Sequence, residues 1–90
     1  MQIRDSILII EDDNSIINLM RAVLRANNYE VFIARTGSEA LTIAGSQCPN
    51  LVILDLGLPD MDGVEIIRRI RTWSTLPILV VSARDHESDK

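Results

Sequence analysis

The chain has one cysteine, Cys48, in 90 residues, so no internal disulfide can form. Cys48 lies beside Pro49 with no metal-ligand partner at short spacing, and it is read as a reduced, structurally incidental thiol. Basic residues are in the minority: nine Lys and Arg against thirteen Asp and Glu give a net charge of −4. With no basic run to offset that balance, a nucleic-acid surface on this segment is excluded. No apolar stretch approaches the roughly 18 residues of a membrane span, and the N-terminus lacks the long apolar core of a signal peptide, so a cytoplasmic chain with no membrane contact is expected. Repeats and low-complexity segments are absent too. At 47% hydrophobic and 24% charged residues, the length allows one small globular domain with a marginal core.

What the chain does have is a series of short apolar runs, several ending on an oxygen-bearing side chain. Residues 51–54 (LVIL) read as a strand buried on both faces, and the run stops on Asp55. Gly57, Pro59, Asp60, Asp62 and Gly63 then supply turn chemistry, so Asp55 is expected where the strand breaks into a loop. On this stretch alone Asp55 can equally be a cap for that turn. Residues 7–10 (ILII) form a second such run and end in Glu11, Asp12 and Asp13. Residues 30–34 (EVFIA) make another strand, and Pro77 opens a last one over residues 78–81, closing on Ser82.

Helical spacing fills the intervals. From Asn14, an N-cap by type, Ile16, Ile17, Met20, Val23 and Leu24 recur on one face until Asn27 and Asn28 end the pattern. Thr36-Gly37 reads as a turn and Ser38 as the cap of a helix burying Ala40, Leu41 and Ala44, with residues 45–50 as a loop. Asp62 or Gly63 opens a third helix with Val64, Ile66, Ile67 and Ile70 inward and Arg68, Arg69 and Arg71 as a solvated face. Trp73 is expected to end that helix and cover the core, and residues 83–90 to begin a further helix. His86, the only histidine, reads as a solvated residue and not a phosphate carrier.

Strands alternating with helices, joined by connections too long for hairpins, predict an α/β fold: a parallel sheet with helices on both faces. In such a sheet every strand ends at the same edge, so Glu11, Asp12, Asp55 and Ser82 should converge there. Carboxylates a few ångströms apart raise one another's pKa, and a divalent cation removes that repulsion. Hard oxygen ligands suit Mg²⁺, which commonly bridges carboxylate to phosphate. A carboxylate can also act as a nucleophile and form an acyl phosphate, and Asp55 is the best placed to do so, with the Ser82 hydroxyl able to hydrogen-bond a phosphoryl oxygen.

The acidic pair after the first strand, Asp55 ending the third, the LGLPDMDG loop and VSAR after the fourth together resemble the receiver domains of two-component response regulators over the whole chain. That resemblance implies a flavodoxin-like domain of strand order 2-1-3-4-5 with Asp55 as phosphoacceptor, Asp12 and Glu11 (the latter through water) as Mg²⁺ ligands, the Gly57 carbonyl as a further ligand and Ser82 as the switch hydroxyl. It leaves Asp13 as charge at a helix N-terminus. It also implies a sensor histidine kinase as phosphoryl donor, and transcriptional control through a winged-helix DNA-binding domain that these residues do not contain. The family's fifth strand, its phosphate-pairing lysine and its last helix are not matched. Lys90, the only lysine, is assigned to the start of a fourth helix. The span 1–90 is therefore read as a receiver incomplete at its C-terminus, with an apolar edge strand at 78–81 that leads either to pairing with a second copy or to a monomer that is only marginally folded. Two other functions stay open: a Mg²⁺-dependent phosphatase with an aspartyl-phosphate intermediate, though Gly57 stands where that class wants a second acid, and an inert acidic binding module.

Overall fold

The computed structural model describes residues 5–55, 58 and 60–81. In chain order the elements are β1 (Ser6–Ile10), α1 (Asn14–Ala26), β2 (Glu30–Ala34), α2 (Gly37–Gln47), β3 (Leu51–Asp55), α3 (Gly63–Arg71) and β4 (Ile78–Val81). All strands are parallel and lie in the order β2-β1-β3-β4, so the expected α/β sheet forms with the expected crossovers. β1 is buried along its whole length, as a continuous apolar run at the sheet centre requires. Around it Leu8, Ile10, Val52, Leu54, Ile66 and Ile70 form the core, with Ala34, Ala40 and Ala44 allowing close approach of β2 and α2.

The register matters most for function. Ile10 pairs with Leu54, so the next positions along the two central strands, Glu11 and Asp55, are brought side by side. A latch at the other end of the strands holds this alignment: the Ser6 N–H donates to Asn50 Oδ1 and the Asn50 N–H returns to the Ser6 carbonyl, both at 2.8 Å. A slip of one residue would break both bonds and turn every side chain to the wrong face.

Several local expectations are corrected. Asp13, not Asn14, caps α1: its Oδ1 accepts from the Ser15 and Ile16 N–H groups at 2.8 and 3.3 Å. Thr36, not Ser38, is the N-cap of α2 and accepts from the Glu39 N–H at 3.1 Å. Glu39 in turn takes the Arg35 N–H, a reciprocal arrangement close to a capping box. α2 also runs on through Gly45 to Gln47, where a loop is expected. A glycine costs about 1 kcal/mol in a helix, which the rest of the helix outweighs. The opening of α3 follows expectation, with Asp62 as its cap.

Three apolar residues expected inward face water. Val23 and Val64 are more than half exposed, and Trp73 is 49% exposed beyond the C-terminus of α3. Hydrophobic spacing marks a face wider than the part a neighbour covers. In α1 only Ile17 is fully buried, and Leu19 is 67% exposed. The arginines of α3 are exposed, as expected, and make surface contacts. Arg68 and Arg69 pair with Glu65 at 3.1 and 3.0 Å, whereas Arg71 donates to the Leu76 carbonyl at 2.8 Å and braces the turn into β4. No described helix is long and apolar enough to cross a membrane.

Candidate functional site

Parallel strands deliver the acids to one edge. Glu11 directly follows β1, Asp12 comes next, and Asp55 is the last residue of β3. One carboxylate oxygen from each lies within 4.8 Å of the others, a cluster able to hold a metal ion. Glu11 and Asp55 are only 2% and 4% exposed, so two carboxyl groups share a nearly dry site. Asp13, the next acid, is occupied with the helix cap and stays outside the cluster.

The backbone also shapes this site. The Glu11 N–H donates to the Ala34 carbonyl at 2.9 Å, continuing the β1–β2 ladder one residue past the strand. The Glu11 carboxylate folds back over its own turn: Oε2 accepts from the Asp12 and Asp13 N–H groups at 3.2 and 3.1 Å. Burial pushes the Glu11 carboxyl above the usual glutamate range. The charge of Asp55 and a hydrogen bond between the two side chains push it the same way, while the N–H groups of Asp13 and Asp12 oppose them.

An oxygen-only donor set with excess negative charge fits a hard divalent cation such as Mg²⁺. Glu11, Asp12 and Asp55 are thus where the sequence expects them. Gly57, Ser82, His86 and Lys90, to which the sequence analysis also assigns places, lie outside the described residues. Sequence reasoning missed Asp60, which it reads only as turn chemistry. Its carboxylate spans to α2, and no local pattern signals a contact between segments that distant in the chain.

A raised Glu11 pKa has a defined consequence. Below the ordinary glutamate value of 4.5 the protonated carboxyl favours the folded state. As pH rises the unfolded chain ionises first, and this contribution is lost through the folded pKa. The metal-free melting temperature should therefore fall from pH 4.5 toward neutrality relative to a Glu11→Gln variant, while the increment from added Mg²⁺ grows. Asp60 works in another window: its carboxyl is held below 3.8, chiefly by the Gly37 N–H, so its contribution is lost only in more acid solution. Melts across this range with and without Mg²⁺ check both signs. A Mg²⁺ increment independent of pH would contradict the assignment of Glu11 to the cation site.

A parallel α/β sheet of order β2-β1-β3-β4 whose central strands carry an acidic cluster at their C-terminal edge places the protein among the flavodoxin-like α/β domains, in which ligands bind at that edge. Within this class the chain belongs to the response regulator receiver domain family, which matches residues 7–90. It is 47% identical over 85 residues to KdpE, the KDP operon transcriptional regulatory protein of Escherichia coli K12, covering 94% of this chain and 38% of that protein. It is 44% identical to the transcriptional regulatory protein KdpE of Mycobacterium tuberculosis, over 93% of this chain and 37% of that protein. The chain spans little more than a third of the length of these curated relatives.

Solved structures agree. A putative response regulator from Chloroflexus aurantiacus superposes with a TM-score of 0.86 at 35% identity, over 98% of this chain and 75% of that one. The BeF3-activated receiver domain of Klebsiella pneumoniae RstA does so at 0.85 and 28% identity, over 94% and 73%.

Proposed function

We propose that this chain is a phosphorylation-controlled signalling receiver in which Asp55 accepts a phosphoryl group from the phosphohistidine of a sensor histidine kinase in the cytoplasm. The observation that carries this reading is the convergence of Glu11, Asp12 and Asp55 at the C-terminal edge of a parallel sheet. A carboxylate oxygen of Asp55 attacks phosphorus in line, the P–N bond breaks, and the leaving imidazole takes a proton while Asp55 becomes an acyl phosphate. Glu11, Asp12, Asp55 and the Gly57 carbonyl would hold Mg²⁺, which when bound neutralises charge on the transferring group. Ser82, by its resemblance to the family's switch position, would then meet a phosphoryl oxygen with its hydroxyl.

The chain modifies itself and does not turn over substrate. Its modified state would regulate transcription through a DNA-binding domain outside these residues, a reading supported by relatives that are transcriptional regulators. The phosphatase reading is weaker because Gly57 offers no acid where that class carries its second carboxylate. With Mg²⁺ and an acyl-phosphate donor, labelling that stops at one phosphate per chain is expected. Continuous release of phosphate from a generic ester would favour the phosphatase instead.

Self-association belongs to the same proposal. Among the described residues β4 pairs with β3 alone, and Leu79 and Val80 are 53% and 43% exposed. An apolar groove adjoins them, lined by Leu19, Val23 and Leu24 of α1 and by Ile53, Leu79 and Val81 of the sheet. An apolar strand edge of this kind templates pairing with another chain. Sedimentation should show mass rising with concentration, and Leu79→Lys should return the chain toward monomer. A monomer at all concentrations would remove this part of the proposal.

A further inference from the structure

Asp60 reaches from the connection between β3 and α3 to the first turn of α2. Its Oδ1 accepts the Gly37 N–H at 2.7 Å and its Oδ2 the Ser38 N–H at 3.2 Å. The first turn of a helix leaves such donors without intrahelical partners. Thr36 serves Glu39 in that turn, so two separate segments cap one helix. The bonds from Gly37 and Ser38 hold the Asp60 carboxyl below the usual aspartate range and keep it ionised.

Gly37 is buried against the same connection. A Cβ there would stand 2.7 Å from Met61 Cβ and 3.3 Å from Ile66 Cδ1. Met61 Cβ is fixed to the backbone and cannot swing aside, so only glycine allows this approach.

Backbone links lead from this contact back to the acidic site. Glu11 donates its N–H to Ala34 at the end of β2, the chain runs on through Arg35 and Thr36 to Gly37, and Gly37 binds Asp60. Asp60 in turn belongs to the connection that starts at Asp55, beside Glu11. β3 is held at the Asp55 end by its pairing with β4, and the far end of the connection is held by Asp60.

We propose that Asp60 is a positioning residue for the acidic site: by fastening the connection that leaves Asp55 to the first turn of α2, it sets Asp55 relative to Glu11 and Asp12, and with it the affinity for a divalent cation and the rate of phosphoryl acceptance. The phosphoryl half rests on the receiver function proposed above. The cation half rests on the three acids alone. Asp60 acts through the backbone and touches no reacting atom.

Calorimetric titration of the 90-residue chain with Mg²⁺ tests this. Asp60→Ala should weaken Mg²⁺ binding several-fold, because the connection that leaves Asp55 loses its tie to α2. Asp60→Asn, which keeps an acceptor oxygen for the Gly37 N–H, should fall between it and the original chain. Gly37→Ala should also weaken binding, and adding it to Asp60→Ala should change little more, because both break one contact. A purely structural role would lower the metal-free melting temperature and leave the Mg²⁺ dissociation constant of folded protein unchanged, and that result would overturn the proposal. If Asp60→Ala does not fold, Asp60→Asn decides: weaker binding supports the positioning role and unaltered binding ends it. Failure of the original chain to accept phosphoryl, with Mg²⁺ binding still weakened in the Asp60 variants, rejects the receiver function and leaves the positioning role standing. Phosphoryl acceptance with unaltered Mg²⁺ affinity in those variants does the reverse.

Discussion

Asp55→Asn should take up no phosphoryl label and, in the absence of Mg²⁺, should melt at a higher temperature than the original chain. Both results come from the same atoms. The amide is nearly isosteric with the carboxylate but is not a nucleophile, so no acyl phosphate forms. Burial is the main reason the Glu11 pKa is raised, and removing the second buried acid takes away the Asp55 charge that adds to it. A relief of about 1 kcal/mol shifts the midpoint of a domain this small by roughly 4–8 °C. Phosphate incorporation measured alongside thermal melts checks the pair, with His86→Ala as the control that should label normally. Label retained by Asp55→Asn, or a fall in its metal-free melting temperature, contradicts the role assigned to Asp55.

Metal dependence separates the two neighbouring acids. At Mg²⁺ a hundredfold above its dissociation constant, mass action stabilises a folded site by about 2.7 kcal/mol, which for a chain of this length corresponds to roughly 10 °C or more in melting temperature. Asp12→Asn should lose most of that gain, because Asp12 contributes an oxygen to the cluster. Asp13→Asn should keep it. The Asp13 side chain serves the Ser15 and Ile16 N–H groups, and asparagine caps a helix about as well as aspartate. Melts of the three proteins with and without Mg²⁺ give the comparison directly. Equal loss in the two variants would mean that the cation does not distinguish the cluster from the cap, and the assignment of ligands would fail.

The sequence by itself determined the strands and the acids at their ends. Apolar runs of four or five residues bounded by charge or proline have few other structures open to them in a folded chain, and β2 and β4 fall at Glu30–Ala34 and Ile78–Val81, where the pattern puts them. The meeting of Glu11, Asp12 and Asp55 was legible for the same reason: parallel connection alone brings strand ends to one edge. Tertiary structure decided what depends on distant partners. The pairing of Ser6 with Asn50 holds the register that sets Glu11 beside Asp55, and α2 takes its cap from Thr36 together with Asp60 from another segment. Val23, Val64 and Trp73 carry the hydrophobicity of core residues and yet face water. Hydrophobic spacing records which side of a helix is apolar. How much of that side is covered, and which backbone donor a carboxylate finds, is settled only when the elements pack.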